Sequence, residues 1–301
     1  VITFRTLTRC PALLLALAAT AACGTGAAPA SDPERGDLPE RAAAEAPVRA
    51  DRPATLPLTP DGRTPVFRHG PRTPEAEATR GTAGTPPRTK PVALTFDADM
   101  TAGQADRAAA GERFDNPALV RLLRAQRVPA TFFVTGMWAR TYPSQTAALG
   151  RDPLFEVGNH SFSHHAFTEP CHGLPALDAR RQLADVRAGF DALRAAGVDR
   201  PVPYFRFPGG CYDDAALRAV APAGVTAVQW DVVGGDPFTE DADAVVRQVL
   251  SDVRPGSVVV LHCTRSAAPA TAEAVRRIVP ELRERGYRFV RVSELLGAAR
   301  G

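Results

Sequence analysis

Two histidines four residues apart, in Gly158-Asn159-His160-Ser161-Phe162-Ser163-His164, are the side chains of this sequence best suited to chemistry. Imidazole binds zinc, copper, iron and nickel, and shares mixed sites with carboxylates. A pair at i, i+4 aims both rings at one point if the backbone turns helically there. Alone the pair is a weak signal, because loop histidines often only hydrogen-bond. Three further polar clusters give it weight, each ending an apolar run: Thr95-Phe96-Asp97-Ala98-Asp99, Arg206-Phe207-Pro208-Gly209 and Leu261-His262.

The elements that must position these clusters alternate along the chain. Apolar runs predict strands over 92–96, 129–134, 155–157, 203–206, 225–230, 257–261 and 287–292. Helical spacing predicts helices over 118–126, 174–197, 242–253 and 270–285, with Asp213-Asp214 capping another that runs to Val220. Strands alternating with helices imply an α/β domain with a mostly parallel sheet. The polar clusters fall just after strand C-termini, the end that carries the active site in α/β barrels. Helix aspartates such as Asp185 and Asp191 read as solvated faces. There is no internal repeat and no glycine-rich phosphate loop.

The chain has 301 residues, 45% of them hydrophobic, enough for one large domain. A net charge of +3, with arginine spread along the chain, argues against nucleic acid as a partner. Residues 1–22 resemble an export signal: Arg5 and Arg9 precede the short apolar run Pro11 to Ala22. Cys23 follows, placed as the acylated first residue of a membrane lipoprotein facing the cell wall. Thr20 departs from the aliphatic residue preferred there, and ordinary cleavage with secretion is the rival reading. Residues 23–89 are rich in Pro, Ala, Gly and charge, and read as a disordered tether. Of the five cysteines, Cys10 leaves with the signal. Cys171 and Cys211 lie in Pro/Gly-rich loops near the polar clusters and are expected to pair, leaving Cys263 a free thiol.

The ordered set Thr95-Phe96-Asp97, His160-x-x-x-His164, Arg206-x-Pro208-Gly209, Trp230-Asp231 through Asp236, and Leu261-His262 resembles the polysaccharide deacetylases with a NodB-like domain, carbohydrate esterase family 4. The likeness covers roughly residues 90–297. It implies a distorted (β/α) barrel and metal-assisted hydrolysis of N-acetyl groups on glucosamine-containing polymers. By resemblance His160 and His164 are metal ligands and Asp97 is the base. Arg206 holds Asp97 ionised, and His262 is the acid. Asp236 supports His262 or pairs with Arg206. Leu261 and Trp230, with Pro208, Gly209 and Asp231, line the substrate slot. The implied cofactor is a divalent metal, Zn2+ first, with Co2+, Ni2+ or Mn2+ as alternatives. A monomer is expected.

The chain departs from the family in four places, one of them Cys263, which follows the catalytic-type histidine where Asp or Asn is common. The usual first motif has adjacent aspartates, the second binding metal; here that place is Ala98, and Asp99 follows. If extended geometry persists, Asp97 and Asp99 share one face and Asp99 becomes the third ligand. Val233 and Pro237 stand where Asp and Trp are common, and Met100 to Phe114 makes a longer loop than the family pattern leads one to expect. The leading expectation is an exported deacetylase acting on peptidoglycan or chitin-type chains. An O-acetyl esterase on xylan, and a wall-glycan-binding protein that has lost activity, are the alternatives.

Overall fold

Nearly every residue of the central strands is buried on both faces, the pattern of a parallel sheet covered by other layers. The computed structural model describes residues 53–72 and 90–299. The signal segment 1–22, Cys23 and stretches 24–52 and 73–89 of the expected tether lie outside the described residues.

In chain order the elements are β1 (Val66–Phe67), β2 (Lys90–Ala98), α1 (Ala102–Ala109), α2 (Pro117–Ala125), β3 (Ala130–Val134), α3 (Gly136–Thr141), α4 (Pro143–Gly150) and β4 (Phe155–Asn159). There follow α5 (Ala179–Ala195), β5 (Tyr204–Phe205), α6 (Asp214–Val220), β6 (Thr226–Val228), β7 (Val232–Val233), α7 (Ala242–Asp252), β8 (Val258–His262), α8 (Thr271–Glu284), β9 (Tyr287–Phe289) and α9 (Val292–Ala298). The strands pair in parallel in the order β1-β6-β5-β4-β3-β2-β8-β7, with β9 also on β2. β6 and β7, far apart in that order, are consecutive pieces of one stretch of chain. The sheet therefore curls back on itself into a distorted barrel.

Side chains alternate across the sheet. Leu94, Phe96, Ala98, Phe132 and Val134 face outward and pack against Leu119 and Leu123 of α2, Val245 and Val249 of α7, and Ile278 and Val279 of α8. Ala93, Phe133, Tyr204 and Val258 face inward, against Leu295 and Leu296 of α9. Burying each large apolar side chain contributes about 1.5–3 kcal/mol, so these layers, not the polar pocket, hold the barrel together.

Three expectations need correction. Residues 53–72 are not part of a loose tether. β1 adds to the open edge of β6, Leu56 N donates to Thr226 Oγ1 (2.9 Å), and Ala54, Leu56 and Phe67 pack on the inner cluster. A few apolar residues suffice there because a sheet edge offers unpaired backbone groups. The expected strand through 292 ends at Phe289; Val292 opens α9, whose N-terminus plugs the barrel. Val292 N donates to Thr131 Oγ1 (3.0 Å) and Ser293 N to Glu156 Oε1 (3.0 Å). The expected long loop at 100–114 contains α1, started by a Thr101–Gln104 capping box.

Candidate active site

β2 continues in extended form through Ala98, and its register fixes what meets at its C-terminal end. Asp97 lies opposite His262, the last residue of β8, and Phe96 opposite Leu261. Asp97 Oδ1 accepts from Arg206 Nη1 at 2.7 Å. Arg206 follows β5 directly and is fully buried. Its Nε donates to Val228 O (3.1 Å), its Nη2 to Gln229 O (3.4 Å), and its guanidinium lies over the Phe133 ring. Among the described residues the buried guanidinium has one ion-pair partner, Asp97.

His160 follows β4, with its N–H on Val134 O. Its Nδ1 is 2.9 Å from Arg206 O. A carbonyl can only accept, so Nδ1 carries a proton, and Nε2 faces Asp97 Oδ2 at 3.6 Å. The loop to His164 is not a helical turn. Ser161 and His164 take left-handed backbone angles, φ 67° and 58°. The two imidazoles still converge, their centres 5.0 Å apart. Two neighbours hold the loop. Gly136 N and Met137 N at the start of α3 donate to Ser161 O and Phe162 O. Asp185 Oδ1 accepts from Phe162 N (2.8 Å) and Ser163 N (3.3 Å). Asp185 is thus no solvated face, and nothing in its local sequence marked it. Glycine at 136 lets the loop pack this closely, because a Cβ there would sit 2.2 Å from the Phe162 ring and push it aside.

His262 is held by Asp236, which is fully buried. His262 Nδ1–H donates to Asp236 Oδ1 (3.0 Å), while Oδ2 accepts from His262 N (2.7 Å) and Thr271 Oγ1 (2.5 Å). Of the two partners expected for Asp236, the structure chooses His262 over Arg206. Burial alone would depress the His262 pKa. The Asp236 charge and hydrogen bond outweigh it, helped by Asp99 and Asp97, and push it up to about 9. Burial likewise raises Asp97, but Arg206, His160 and His262 hold its carboxyl below the usual range. Burial wins at His164, which drops to about 4 despite Asp99. Its ring is therefore neutral at pH 7.

Asp99 is the second carboxylate of the pocket. Its Oδ1 accepts from Thr264 Oγ1 (2.5 Å), and its Oδ2 faces His164 Nε2 at 3.9 Å. Ala98 packs in the outer apolar layer. Among the described residues no three His, Cys, Asp or Glu side chains close into a ready-made metal cluster. The donor chemistry nevertheless fits a cation: His164 is a neutral imidazole, His160 turns Nε2 into the pocket, and each Nε2 lies beside a carboxylate oxygen too far for a hydrogen bond.

The slot residues divide. Trp230 is half-buried beside Arg206, its ring 5.3 Å from the guanidinium, and Gly210 packs against it. Pro208 and Gly209 form a tight turn after Arg206, and a disulfide joins Cys171 to Cys211 beside it. Cys263 is a buried free thiol, its pKa pushed up to about 12 by burial. Leu261 is misplaced as a slot wall. It adjoins His262 on β8, so the two-residue period turns it to the helix layer and leaves Val260 on the pocket face. Asp231 is misplaced too. It accepts from Val258 N (2.7 Å), Ser257 Oγ (2.8 Å) and Arg72 Nη2 (2.5 Å) at the opposite end of β8.

A family model described as polysaccharide deacetylase matches residues 84–228. Over 184 residues the chain is 33% identical to a chitooligosaccharide deacetylase of Sinorhizobium fredii, covering 57% of this chain and 80% of that one. The chain belongs to the polysaccharide deacetylase family. A peptidoglycan-N-acetylglucosamine deacetylase of Bacillus cereus is 29% identical over 184 residues, 60% of this chain and 81% of the other. A solved structure of a carbohydrate esterase family 4 pseudoenzyme from Bacillus anthracis matches with TM-score 0.57 and 24% identity, over 70% of this chain and 67% of that one. That likeness speaks to the fold. Activity within polysaccharide deacetylases must be argued from the pocket itself.

Proposed function

We propose that this polysaccharide deacetylase is an exported, lipid-anchored, metal-dependent hydrolase that removes N-acetyl groups from N-acetylglucosamine-containing polysaccharide of the peptidoglycan or chitin type. The observation that carries the reading is Asp97, with one oxygen held by Arg206 and the other facing His160 Nε2, beside a His262 that is protonated at neutral pH.

Arg206 keeps Asp97 ionised and fixes its orientation, so Oδ2 can take a proton from a water placed between it and the acetyl carbon. An amine leaves an amide badly unless it is protonated. His262 gives its Nδ1 proton to Asp236 as a hydrogen bond, which leaves Nε2–H to protonate the departing nitrogen. Trp230 walls the pocket and keeps bulk water from Arg206. His160, His164 and Asp99 would hold the cation. When bound, Zn2+ (or Co2+, Ni2+ or Mn2+) would polarise the acetyl carbonyl and lower the pKa of a water. The named relatives act on chitooligosaccharide and peptidoglycan N-acetylglucosamine, which supports that substrate class. The Cys171–Cys211 bond supports export, because disulfides persist in oxidising compartments. Cys23 as lipid anchor and the 23–52 and 73–89 stretches as tether complete the proposal.

The test is acetate release by the purified chain from chitooligosaccharide, peptidoglycan and acetylated xylan, with Asp97→Asn as control. Release from the glucosamine polymers, lost in the variant, is expected. Release from acetylated xylan alone would make the protein an O-acetyl esterase. The replacement at Ala98 favours one other reading, a wall-binding protein without activity; glycan binding with no acetate release from any polymer would establish it.

A further inference from the structure

The reading that His160, His164 and Asp99 hold a cation leaves open how Asp99 serves when the family's usual carboxylate position is alanine. We propose that Thr264 is the positioning residue that turns Asp99 into the third ligand, so that the strand end of β8 supplies what the first motif lacks; this rests on the reading above.

β2 stays extended past Asp97, so the side chain of residue 98 points into the helix layer, where the Ala98 methyl is fully buried among apolar groups. A carboxylate there could not reach the pocket. Residue 99 returns to the pocket face. The backbone ladder between β2 and the chain after β8 reaches Cys263 N, which donates to Asp97 O at 2.7 Å. The next rung is a side chain. Thr264 Oγ1 accepts from Asp99 N (3.3 Å) and donates to Asp99 Oδ1 (2.5 Å). One hydroxyl can do both, having one proton and two lone pairs. It fixes the Asp99 backbone and carboxylate together.

Thr264 is itself well anchored. It is fully buried, and its carbonyl accepts from Ala267 N (3.0 Å) and Ala268 N (2.8 Å). With Oδ1 engaged, the free Oδ2 is the oxygen that faces His164 Nε2. Without the hydroxyl, the Asp99 carboxylate would lose the one side chain that bonds it among the described residues, and would be free to rotate away from His164. Hydrogen bonds to ligating carboxylates commonly set affinity by about 10–100-fold when removed.

The experiment is calorimetric titration of Zn2+ into the full chain as wild type, T264S, T264V and D99N, with thermal melts of each. T264V should bind Zn2+ about 10–100-fold more weakly, T264S should stay close to wild type, and D99N should be at least as weak as T264V. Wild-type affinity in T264V beside weak binding in D99N would overturn the role of Thr264 and leave Asp99 as ligand. Wild-type affinity in D99N would overturn the ligand reading, and Thr264 with it. Should T264V fail to fold, a crystal of the wild-type chain with Zn2+ decides. Asp99 Oδ2 at about 2.0–2.2 Å from zinc, with Oδ1 still on Thr264, is expected. Zinc on the histidines with Asp99 turned away would contradict the proposal.

Discussion

Asp97 and Glu156 are two buried carboxylates projecting from neighbouring regions of one barrel, and their surroundings drive them apart. Asp97, at the C-terminal end of β2, meets Arg206 and two histidines, which hold it ionised against its burial. Glu156, in the middle of β4, meets Thr131 Oγ1 (2.7 Å) and Ser293 N (3.0 Å), and its burial raises its pKa. Glu156 spends its acceptor capacity tying β3 and the start of α9 together. Among the described residues nothing hydrogen-bonds the second oxygen of Asp97, which faces His160 Nε2. Burial alone therefore does not mark a site. A buried carboxylate with a fixed cation on one oxygen and an unspent second oxygen does.

That contrast can be broken most forcefully at Asp97 itself. Asp97→Asn should lower acetate release by about 10²–10⁴-fold, the usual reach of a general base. It should also destabilise the fold by roughly 3–5 kcal/mol, because the buried Arg206 loses the one carboxylate it pairs with among the described residues. A rate near wild type would remove Asp97 from the chemistry. Replacing both Cys171 and Cys211 by serine should cost about 2–4 kcal/mol in denaturant unfolding, because the bond closes a long loop between the histidine and Arg206 segments.

Asp236→Asn sharpens the comparison through pH. His262 titrates at about 9 rather than 6.5 chiefly because Asp236 overrides its burial. The acid works protonated, so the wild-type rate should fall as pH rises through about 9, and in the variant it should fall from 6.5 or below. The same shift makes a stability contribution that is complete below pH 6.5 and is lost as pH climbs through about 9. An unmoved alkaline limb would take His262 out of the acid role. The smallest effect belongs to Glu156→Gln, which keeps an acceptor for Ser293. A loss of about 1 kcal/mol, with the rate unchanged, is expected. A rate loss as deep as that of Asp97→Asn would erase the distinction between the two carboxylates.

The barrel and the strand-end residues could be read from the sequence because a parallel strand covered on both sides writes an unbroken apolar run, and Asp97, His160, Arg206 and His262 each stand where such a run stops. The rest depended on information the sequence does not hold locally. Resemblance puts Leu261 in the slot, yet it is adjacent to His262, and a strand sends neighbours to opposite faces. Asp231 finds Arg72 across 159 positions, a distance over which no spacing rule applies. Asp185 supports the histidine loop from another helix, and its surroundings read like any exposed helical turn. Thr264 matters only because β2 stays extended past Asp97. Residues 53–72 carry few apolar side chains, and order because β6 offers an open edge.

The most direct test of the whole account is acetate release from chitooligosaccharide by the full chain, measured before chelation, after chelation and after Zn2+ is returned. The account predicts release that is lost with the metal and restored by it. Release that continues undiminished in the stripped protein would contradict it, as would silence at every metal loading.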